Sequence, residues 1–245
     1  MKVVCIVQAR VGSTRLPGKV LKEICGKTVL EHDVNRVKLV PNIDEIIIAT
    51  TRKKQDDKII DEVNRLGVKY FRGSENDVLS RYYFAAKENN ADVIVRITSD
   101  CPCLDQNILT NMINLFLKKS KVLDYMNNTL QKSYPRGYDI EVFSFKALEI
   151  AFNNAKKDYE REHVTPYIYN LNNNFNIECY KNTKDYSKYR VTLDTEEDFL
   201  VISAIYNNLF NKKGYFLLED VVEFLDKNPQ IENLNAEIEQ KKLGE

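Results

Sequence analysis

The chain has 245 residues, of which 43% are hydrophobic and 29% are charged, so it is long enough to bury one substantial core. Basic and acidic residues number 36 each, and this balance argues against binding nucleic acid through bulk positive charge. Because no apolar run approaches the roughly 20 residues that span a bilayer and no signal peptide precedes the first apolar run, we expect a cytoplasmic protein without membrane insertion.

The first half of the chain alternates short apolar runs with amphipathic stretches. The pattern predicts strands at 3–7, 45–49, 68–71 and 92–97. Helical spacing predicts helices at 29–40, 55–66 and 76–89, and Asp105 is the expected N-cap of a helix that runs to Lys118. Repeated alternation of strand and helix predicts an α/β fold with a mainly parallel sheet and helices on both faces.

After residue 122 the alternation becomes looser. The pattern there predicts strands at 139–143, 176–180 and 189–193, and helices at 146–156, 196–211 and 217–227. Residues 158–171 are predicted to form one helix or a helix pair. Since neither a flexible linker nor an internal repeat is found, we expect a single domain over residues 1–245 with a small embedded β-rich subregion.

A loop rich in glycine and positive charge directly follows the first predicted strand. Its glycines, hydroxyls and cations are Gly12, Gly18, Ser13, Thr14, Arg10, Arg15 and Lys19. Glycine lets the backbone approach a ligand closely, and the donors and charges suit a nucleoside triphosphate at the carboxyl end of a strand. The loop is not a Walker A motif, because Gly12 and Gly18 enclose five residues and Val20 follows the lysine.

Two carboxylates come after predicted strands. Asp100 follows the fourth strand, on the sheet edge where the glycine-rich loop is expected, and magnesium is usually held by one or two carboxylates together with phosphates and water. We therefore expect Asp100 to be a metal ligand. Asp194 precedes Thr195 and Asp198, which loosely match a capping box, so the residues alone are equally consistent with a helix start.

The loop resembles the signature of the cytidylyltransferases that make CMP-activated sugars, in which Ala-Arg-x-x-Ser-x-Arg-Leu-Pro-x-Lys wraps the triphosphate of CTP. Here the motif occupies residues 9–19. The stretches RGSENDVL (72–79), YPRGYDIEVF (134–143) and YEREHVTPY (159–167) extend the resemblance to the SpsF-type branch over nearly the whole chain. The resemblance implies a Rossmann-like, GT-A-like nucleotidyltransferase fold, CTP as a substrate, magnesium held by Asp100 and Asp194, and a homodimer. It also implies a CTP-binding half at 1–121, an acceptor and dimerisation subregion at 122–192, and C-terminal helices at 193–245.

The resemblance also assigns candidate roles to individual residues. Catalytic roles fall to Arg10, Arg15, Lys19 and Asp100. Nucleotide-binding roles fall to Gln8, Ala9, Arg10, Gly12, Ser13, Thr14, Arg15, Lys19, Arg72, Ser74, Thr98 and Ser99. The acceptor candidates are Arg136, Asp139, Glu141, Arg161 and His163. Because arginine suits bidentate binding of carboxylate or phosphate, an anionic acceptor is expected. His163 is equally consistent with a hydrogen-bonded helix residue, and Arg161 with a structural ion pair.

Three other functions are weighed against this one. Transfer of another nucleotide, such as UMP or GMP, to a sugar phosphate needs the same loop and carboxylates. A glycosyltransferase of related fold would commonly have an Asp-x-Asp metal motif, whereas Asp100 is followed by Cys101 and Pro102. A non-catalytic binding module would not need two carboxylates facing a triphosphate loop.

Overall fold

The computed structural model describes residues 1–239. In chain order its strands are β1 (Val3–Gln8), β2 (Glu23–Ile24), β3 (Lys27–Thr28), β4 (Glu45–Thr51), β5 (Lys69–Gly73), β6 (Val93–Thr98), β7 (Tyr125–Asn127), β8 (Glu141–Ser144) and β9 (Ile177–Cys179). Its α-helices are α1 (Val29–Lys38), α2 (Asp57–Leu66), α3 (Val78–Glu88), α4 (Gln106–Lys119), α5 (Phe145–Asn154), α6 (Asp158–His163), α7 (Pro166–Tyr169), α8 (Glu196–Lys213), α9 (Leu218–Lys227) and α10 (Pro229–Glu232).

Seven strands form one sheet in the order β5-β4-β1-β6-β8-β7-β9. The strands β5, β4, β1 and β6 are mutually parallel, whereas β8 runs antiparallel to both of its neighbours, β6 and β7. The four parallel strands therefore end at one edge of the sheet, and the loops that follow them meet there. The expected mainly parallel α/β fold is confirmed.

The central strand β1 shows why helices cover both faces of the sheet. Val3, Cys5 and Val7 pack with apolar side chains of α1, α2 and α4, whereas Val4 and Ile6 pack with those of α3 and α5. All five side chains are buried, which explains the unbroken apolar run in the sequence. Burying each aliphatic side chain fully contributes about 1.5–3 kcal/mol, so this strand anchors the core.

Residues 158–171 form a helix pair, α6 and α7, which is one of the two predicted alternatives. Two other features of the structure differ from the predicted elements. The predicted strand at 189–193 is wrong, because its extended backbone makes only an isolated parallel bridge, between Arg136 and Arg190. The strands β2, β3 and β7 were not predicted, since two or three residues are too few to show a periodicity.

Residues 189–194, which we call the return segment, run back across the carboxyl edge of the sheet. The alternating apolar residues Tyr189, Val191 and Leu193 are buried in a separate cluster with side chains of α8 and α9. These residues alternate with a period of two, which predicts a strand, but here the alternation results from packing against helices. Among residues 1–239, no helix combines the length and the apolar character that crossing a bilayer requires.

The return segment packs directly on Gly137, whose φ is +107°. A Cβ at this position would lie 2.6 Å from backbone atoms of Val191 and Thr192, so a side chain would push the segment away. We predict that Gly137→Ala lowers the free energy of unfolding by about 3 kcal/mol or more, through backbone strain and overpacking together.

The matched control is Gly67→Ala. Gly67 has a φ of +63° with nothing within 4 Å of a built Cβ, so only the left-handed conformation should cost stability, by about 1–2 kcal/mol. Urea unfolding of both variants measures the difference. Equal losses would show that the return segment does not depend on Gly137.

Candidate active site

A cleft of about 830 Å³ opens where β1, β5 and β6 end. It is bounded by the loops that follow these strands, by the first turns of α3, by α6 and by the end of the return segment. The lining residues are Gln8, Ala9, Arg10, Ser13, Thr14, Arg15, Lys19, Val20, Ser74, Glu75, Asn76, Asp77, Val78, Arg81, Thr98, Ser99, Asp100, Asp158, Arg161, Glu162, His163 and Asp194.

Backbone hydrogen bonds within the glycine-rich loop after β1 fix its conformation. The carbonyl oxygen of Val11 accepts hydrogen bonds from the amides of Ser13 and Gly18, at 2.8 and 2.9 Å, and the amide of Val11 donates to Oδ1 of Asp56 at 2.7 Å. Gly18 has a φ of +69°, and Lys19 follows it in a short 3-10 turn. This local geometry directs the Lys19 side chain inward.

The ammonium group of Lys19 lies between two carboxylates. Its Nζ is 3.0 Å from Oδ2 of Asp100 and 2.9 Å from Oδ1 of Asp194, and it donates to the carbonyl oxygen of Leu193 at 2.8 Å. Burial opposes the charge of Lys19, but the two carboxylates outweigh burial and raise its pKa. These three residues join the glycine-rich loop, the end of β6 and the return segment.

The return segment is hydrogen-bonded to the backbone of Asp100. Its carbonyl oxygen accepts from the amide of Leu193 at 2.8 Å and from Oγ1 of Thr192 at 3.2 Å. Burial would raise the pKa of the Asp100 carboxyl, but the charge of Lys19 and hydrogen bonds from Thr98, Lys19 and Cys101 lower it to about 2. Asp100 is therefore ionised throughout the physiological range of pH.

Asp194 is held by cations and by the start of α8. Its Oδ2 lies 3.1 Å from Nη2 of Arg15 and 3.3 Å from Nη2 of Arg190. The buried carboxylate of Asp198 accepts from the amides of Asp194 and Thr195, and the hydroxyl of Thr195 accepts from the amide of Asp198. The capping box is thus present, and Asp194 lies just outside it with its carboxylate on the cleft.

Two candidate nucleotide-binding residues do not line the cleft. The guanidinium of Arg72 donates to the carbonyl oxygens of Thr51 and Lys53 and pairs with Asp57, at 2.7–2.9 Å, so it fastens the end of β4 to β5. A Cβ at Gly12 would lie 2.8 Å from Nε2 of Gln55, which shows close packing on the far side of the loop. The structure therefore corrects the expectation that Arg72 binds the nucleotide, whereas nucleotide binding by the backbone of Gly12 stays a prediction.

The acceptor candidates separate into three environments. Arg161 and His163 line the cleft, whereas Arg136 and Asp139 line a neighbouring cavity of about 260 Å³. Glu141 is buried, where it pairs with Arg96 and accepts from the hydroxyls of Tyr125 and Thr165, both at 2.5 Å. Because its oxygens are occupied inside the core, the expectation that Glu141 binds the acceptor is wrong.

Arg161 takes part in an ion pair as well as lining the cleft. Its Nε lies 3.0 Å from Oδ1 of Asp77, its Nη2 pairs with Oδ2, and its Nη1 donates to the carbonyl oxygen of Phe152 at 2.8 Å. Asp77 also caps α3 by accepting from the amide of Ser80 at 2.9 Å. A structural role for Arg161 is therefore present, with Asp77 as the partner carboxylate.

His163 precedes a strained turn. Val164 has φ +72° and ψ −56°, and the amide of Thr165 donates to the carbonyl oxygen of His163 at 2.9 Å, which is the geometry of a γ-turn. A positive φ is costly for a β-branched residue, and here it separates α6 from α7 and leaves His163 on the cleft. Burial lowers the pKa of His163, so the imidazole is neutral at pH 7.

The fold and the cleft define a nucleotidyltransferase: a mainly parallel sheet with a cationic loop after its first strand and two carboxylates opposite that loop. A cytidylyltransferase family model matches residues 4–243, and the chain belongs to this family of enzymes.

Relatives and solved structures match this chain along most or all of its length. An uncharacterized protein of Methanocaldococcus jannaschii is 42% identical, over 100% of this chain and 99% of that protein. The spore coat polysaccharide biosynthesis protein SpsF of Bacillus subtilis is 32% identical, over 91% of this chain and 94% of that protein. A solved cytidylyltransferase from Leptospira borgpetersenii is 37% identical with a TM-score of 0.91, over 99% of this chain and 100% of that one. The CMP:2-keto-3-deoxy-manno-octonic acid synthetase complexed with CTP has the same fold at 19% identity, with a TM-score of 0.65 over 84% of this chain and 99% of that one.

The low pKa of Asp100 predicts a specific loss of stability in acid. A carboxyl whose pKa is lower in the folded chain stabilises the fold above its unfolded pKa, and that contribution disappears as the pH falls towards about 2. Between about pH 5 and about pH 3, the unfolding free energy of the wild type should fall by about 1 kcal/mol more than that of Asp100→Asn.

Denaturant titrations at several pH values measure this difference. Asp61→Asn, on the exposed side of α2, is the control and should keep the wild-type slope. A slope in Asp100→Asn that equals the wild-type slope would show that Asp100 is not the group that titrates.

Proposed function

We propose that this enzyme transfers CMP from CTP to an anionic sugar or phosphorylated small molecule and releases pyrophosphate, in the synthesis of a surface polysaccharide or glycoconjugate. The proposal rests on the position of Lys19, whose ammonium group lies between the carboxylates of Asp100 and Asp194. Lys19 ends a loop that also carries the cations Arg10 and Arg15. The relative named for spore coat polysaccharide biosynthesis and the CTP complex of the structural neighbour support the substrate class.

The donor set fits magnesium. A single cation, the Lys19 ammonium, already contacts both Asp100 and Asp194, so the two carboxylates are close enough to share one. Within residues 1–239 no group of three or more metal-ligating side chains is found, so substrate phosphates would complete the coordination, as is usual for magnesium. When bound, the metal would neutralise charge at the α-phosphate.

The side chains of the loop would bind and orient the triphosphate. Arg10, Arg15 and Lys19 all lie on the cleft, and together they would neutralise the charge that develops on the departing pyrophosphate. An acceptor oxygen attacks the α-phosphorus as the bond to the β-phosphate oxygen breaks. If the acceptor is a hydroxyl, the imidazole of His163, which lines the cleft, would take its proton; if it is a phosphate, no base is needed.

Charge around the cleft supports an anionic acceptor. Arg136 lines the neighbouring cavity, where its Nε lies 3.3 Å from Oδ2 of Asp139, and it is half exposed. Arg190 lines that same cavity and also contacts Asp194, so it connects the cavity to the carboxylates of the cleft. An acceptor that enters from this side would meet guanidinium groups, which suit carboxylate or phosphate.

The function is tested by incubating the enzyme with magnesium, each of the four nucleoside triphosphates and a panel of acidic sugars, phosphorylated small molecules and neutral sugars. We expect pyrophosphate release with CTP and an anionic acceptor. A different preferred nucleotide would contradict cytidylyl transfer, and efficient use of a neutral acceptor would contradict the acceptor class.

Substitution of two lysines in the same segment distinguishes a catalytic role from a general effect of surface charge. Lys19→Ala should reduce turnover by about two orders of magnitude or more, the scale of one lost charge-stabilising contact. Lys22→Ala is the control, because the Lys22 ammonium pairs with Glu196 at 3.3 Å and lies outside the cleft. Comparable turnover in both variants, measured by pyrophosphate release, would remove Lys19 from the mechanism.

A homodimer is a further part of the proposal and rests on the family resemblance. Tyr167 and Tyr169 pack partly buried against the core cluster on the α3 and α5 side of the sheet, so the interior accounts for part of their aromatic surface. Light scattering at micromolar concentration should give the mass of two chains, and the mass of one chain would overturn the expectation.

A further inference from the structure

Val164 has a backbone conformation that its residue type rarely adopts. Among residues 1–239 it is the one β-branched residue with a positive φ, and its side chain is buried in the core on the α3 and α5 side of the sheet. Such a strained position persists only where the surrounding structure supplies compensating contacts, and strained positions are concentrated at functional sites. His163, on the cleft, directly precedes Val164. The contacts that hold this turn therefore also determine where His163 lies.

Thr165 connects the turn to the sheet. It occupies the N-cap position of α7, where a threonine side chain ordinarily accepts a hydrogen bond from the helix backbone, but here the side chain makes no capping bond. Its hydroxyl instead donates to Oε1 of Glu141 on β8, at 2.5 Å. The hydrogen-bonding capacity of Thr165 is thus used to attach the turn to the sheet rather than to begin the helix.

Glu141 is a rigid anchor for this contact. It is buried, it pairs with Arg96 of β6, and its Oε1 also accepts from the hydroxyl of Tyr125 on β7 at 2.5 Å. Nη2 of Arg96 in turn lies 3.3 Å from Oε1 of Gln8, which lines the cleft at the end of β1. Because three neighbouring strands fix the Glu141 carboxylate, the anchor does not move with the turn.

The turn joins the end of α6 to the start of α7 through a single strained residue. The amide of Thr165 donates to the carbonyl oxygen of His163 at 2.9 Å, so His163 is tied to the anchored residue across Val164 alone. Without the anchor, Val164 could relax to a negative φ, which costs less for a β-branched residue. That relaxation would shift the backbone of His163 relative to the cleft.

We propose that Thr165 is a positioning residue for His163: its hydrogen bond to Glu141 keeps Val164 strained and so holds the imidazole on the cleft. The use of that imidazole as a base for a hydroxyl acceptor rests on the proposed function, whereas the positioning does not. Glu141 thereby acts on the cleft through Thr165, without contacting a substrate itself.

Variants that remove a hydroxyl from the same carboxylate oxygen test the proposal. Thr165→Val keeps the branched shape and loses the donor, and Thr165→Ser keeps the donor. Tyr125→Phe is the matched control, because it removes the other donor to Oε1 of Glu141 but belongs to β7 and not to the turn. Thr165→Val and Tyr125→Phe each lose one buried hydrogen bond, so both should be less stable to urea, but only Thr165→Val should release the turn.

Nuclear magnetic resonance on the chain without substrate measures the position of the imidazole. The chain has two histidines, so the signal of His163 can be followed through a pH titration. Burial has the largest influence on the pKa of His163 and lowers it; the charged groups that also act on it are Glu162, Arg96 and Glu141. In Thr165→Val the released imidazole should be more exposed, so its pKa should rise towards the ordinary value. Thr165→Ser and Tyr125→Phe should keep the wild-type pKa.

Hydrogen exchange at the amide of residue 165 is the second measurement. Thr165→Val should lower the protection of this amide by about tenfold, the effect of one lost buried hydrogen bond, and Tyr125→Phe should leave it within about twofold. Thr165→Ala loses the same donor without adding bulk, so it should reproduce both effects if Thr165→Val does not fold.

The contrary outcomes separate this inference from the proposed function. Equal losses of protection in Thr165→Val and Tyr125→Phe would show a general loss of stability and overturn the inference. An unchanged pKa of His163 in the folded Val and Ala variants would overturn it as well. Because neither measurement uses a substrate, a wild type that transfers no nucleotide would contradict the proposed function and leave the positioning of His163 intact.

Discussion

The contact of the Lys19 ammonium with Asp100 and Asp194 is the interaction on which the arrangement of the cleft depends. It joins residues that are 81 and 175 positions apart in the sequence. Two carboxylates brought this close would repel each other strongly in a partly buried site, so a cation is required between them. Lys19, which the glycine-rich loop presents, therefore allows the carboxylate of Asp194 to lie close to that of Asp100, and Leu193 adds its carbonyl oxygen as a further acceptor.

The same contact connects the proposed chemistry to the stability of the fold. A triphosphate bound by the loop would compete with Asp100 and Asp194 for Lys19, and the carboxylates would then need another positive charge. We therefore expect the binding of nucleotide and the binding of magnesium to strengthen each other. The triphosphate would draw Lys19 from the carboxylates, and magnesium would replace the positive charge there. The hydrogen bonds from the Leu193 amide and the Thr192 hydroxyl to the carbonyl oxygen of Asp100 do not involve charge, so they hold the return segment in place during such an exchange.

The sequence predicts what depends on local pattern and misses what depends on distant packing. The buried run of β1 and the loop after it are visible because strand period, glycine and charge all lie within residues 3–19. The alternation at 189–193 suggested a strand because nothing in the sequence shows that α8 and α9 cover these residues instead of a neighbouring strand. Glu141 and Arg72 look like ligand-binding residues until their partners Thr165 and Asp57 are placed beside them by the fold. The buried position of Arg81 beside the cleft was missed for the same reason, since an arginine in an amphipathic helix is ordinarily solvent-exposed.

The buried polar groups beneath the cleft differ in how completely they are satisfied. Glu141 takes three donors and holds Arg96, whose Nη2 in turn lies 3.3 Å from Oε1 of Gln8, so this part of the wall is fixed in the absence of a ligand. Arg81 has two buried nitrogens, Nε and Nη1, whose hydrogen bonds no described residue accepts, and Nε of Arg96 is in the same situation. The two arginines differ in charge balance, since Glu141 pairs with Arg96, whereas among residues 1–239 no ion pair includes Arg81. The wall near β8 is therefore stabilised by a charge pair within the protein, and the guanidinium near β5 is not.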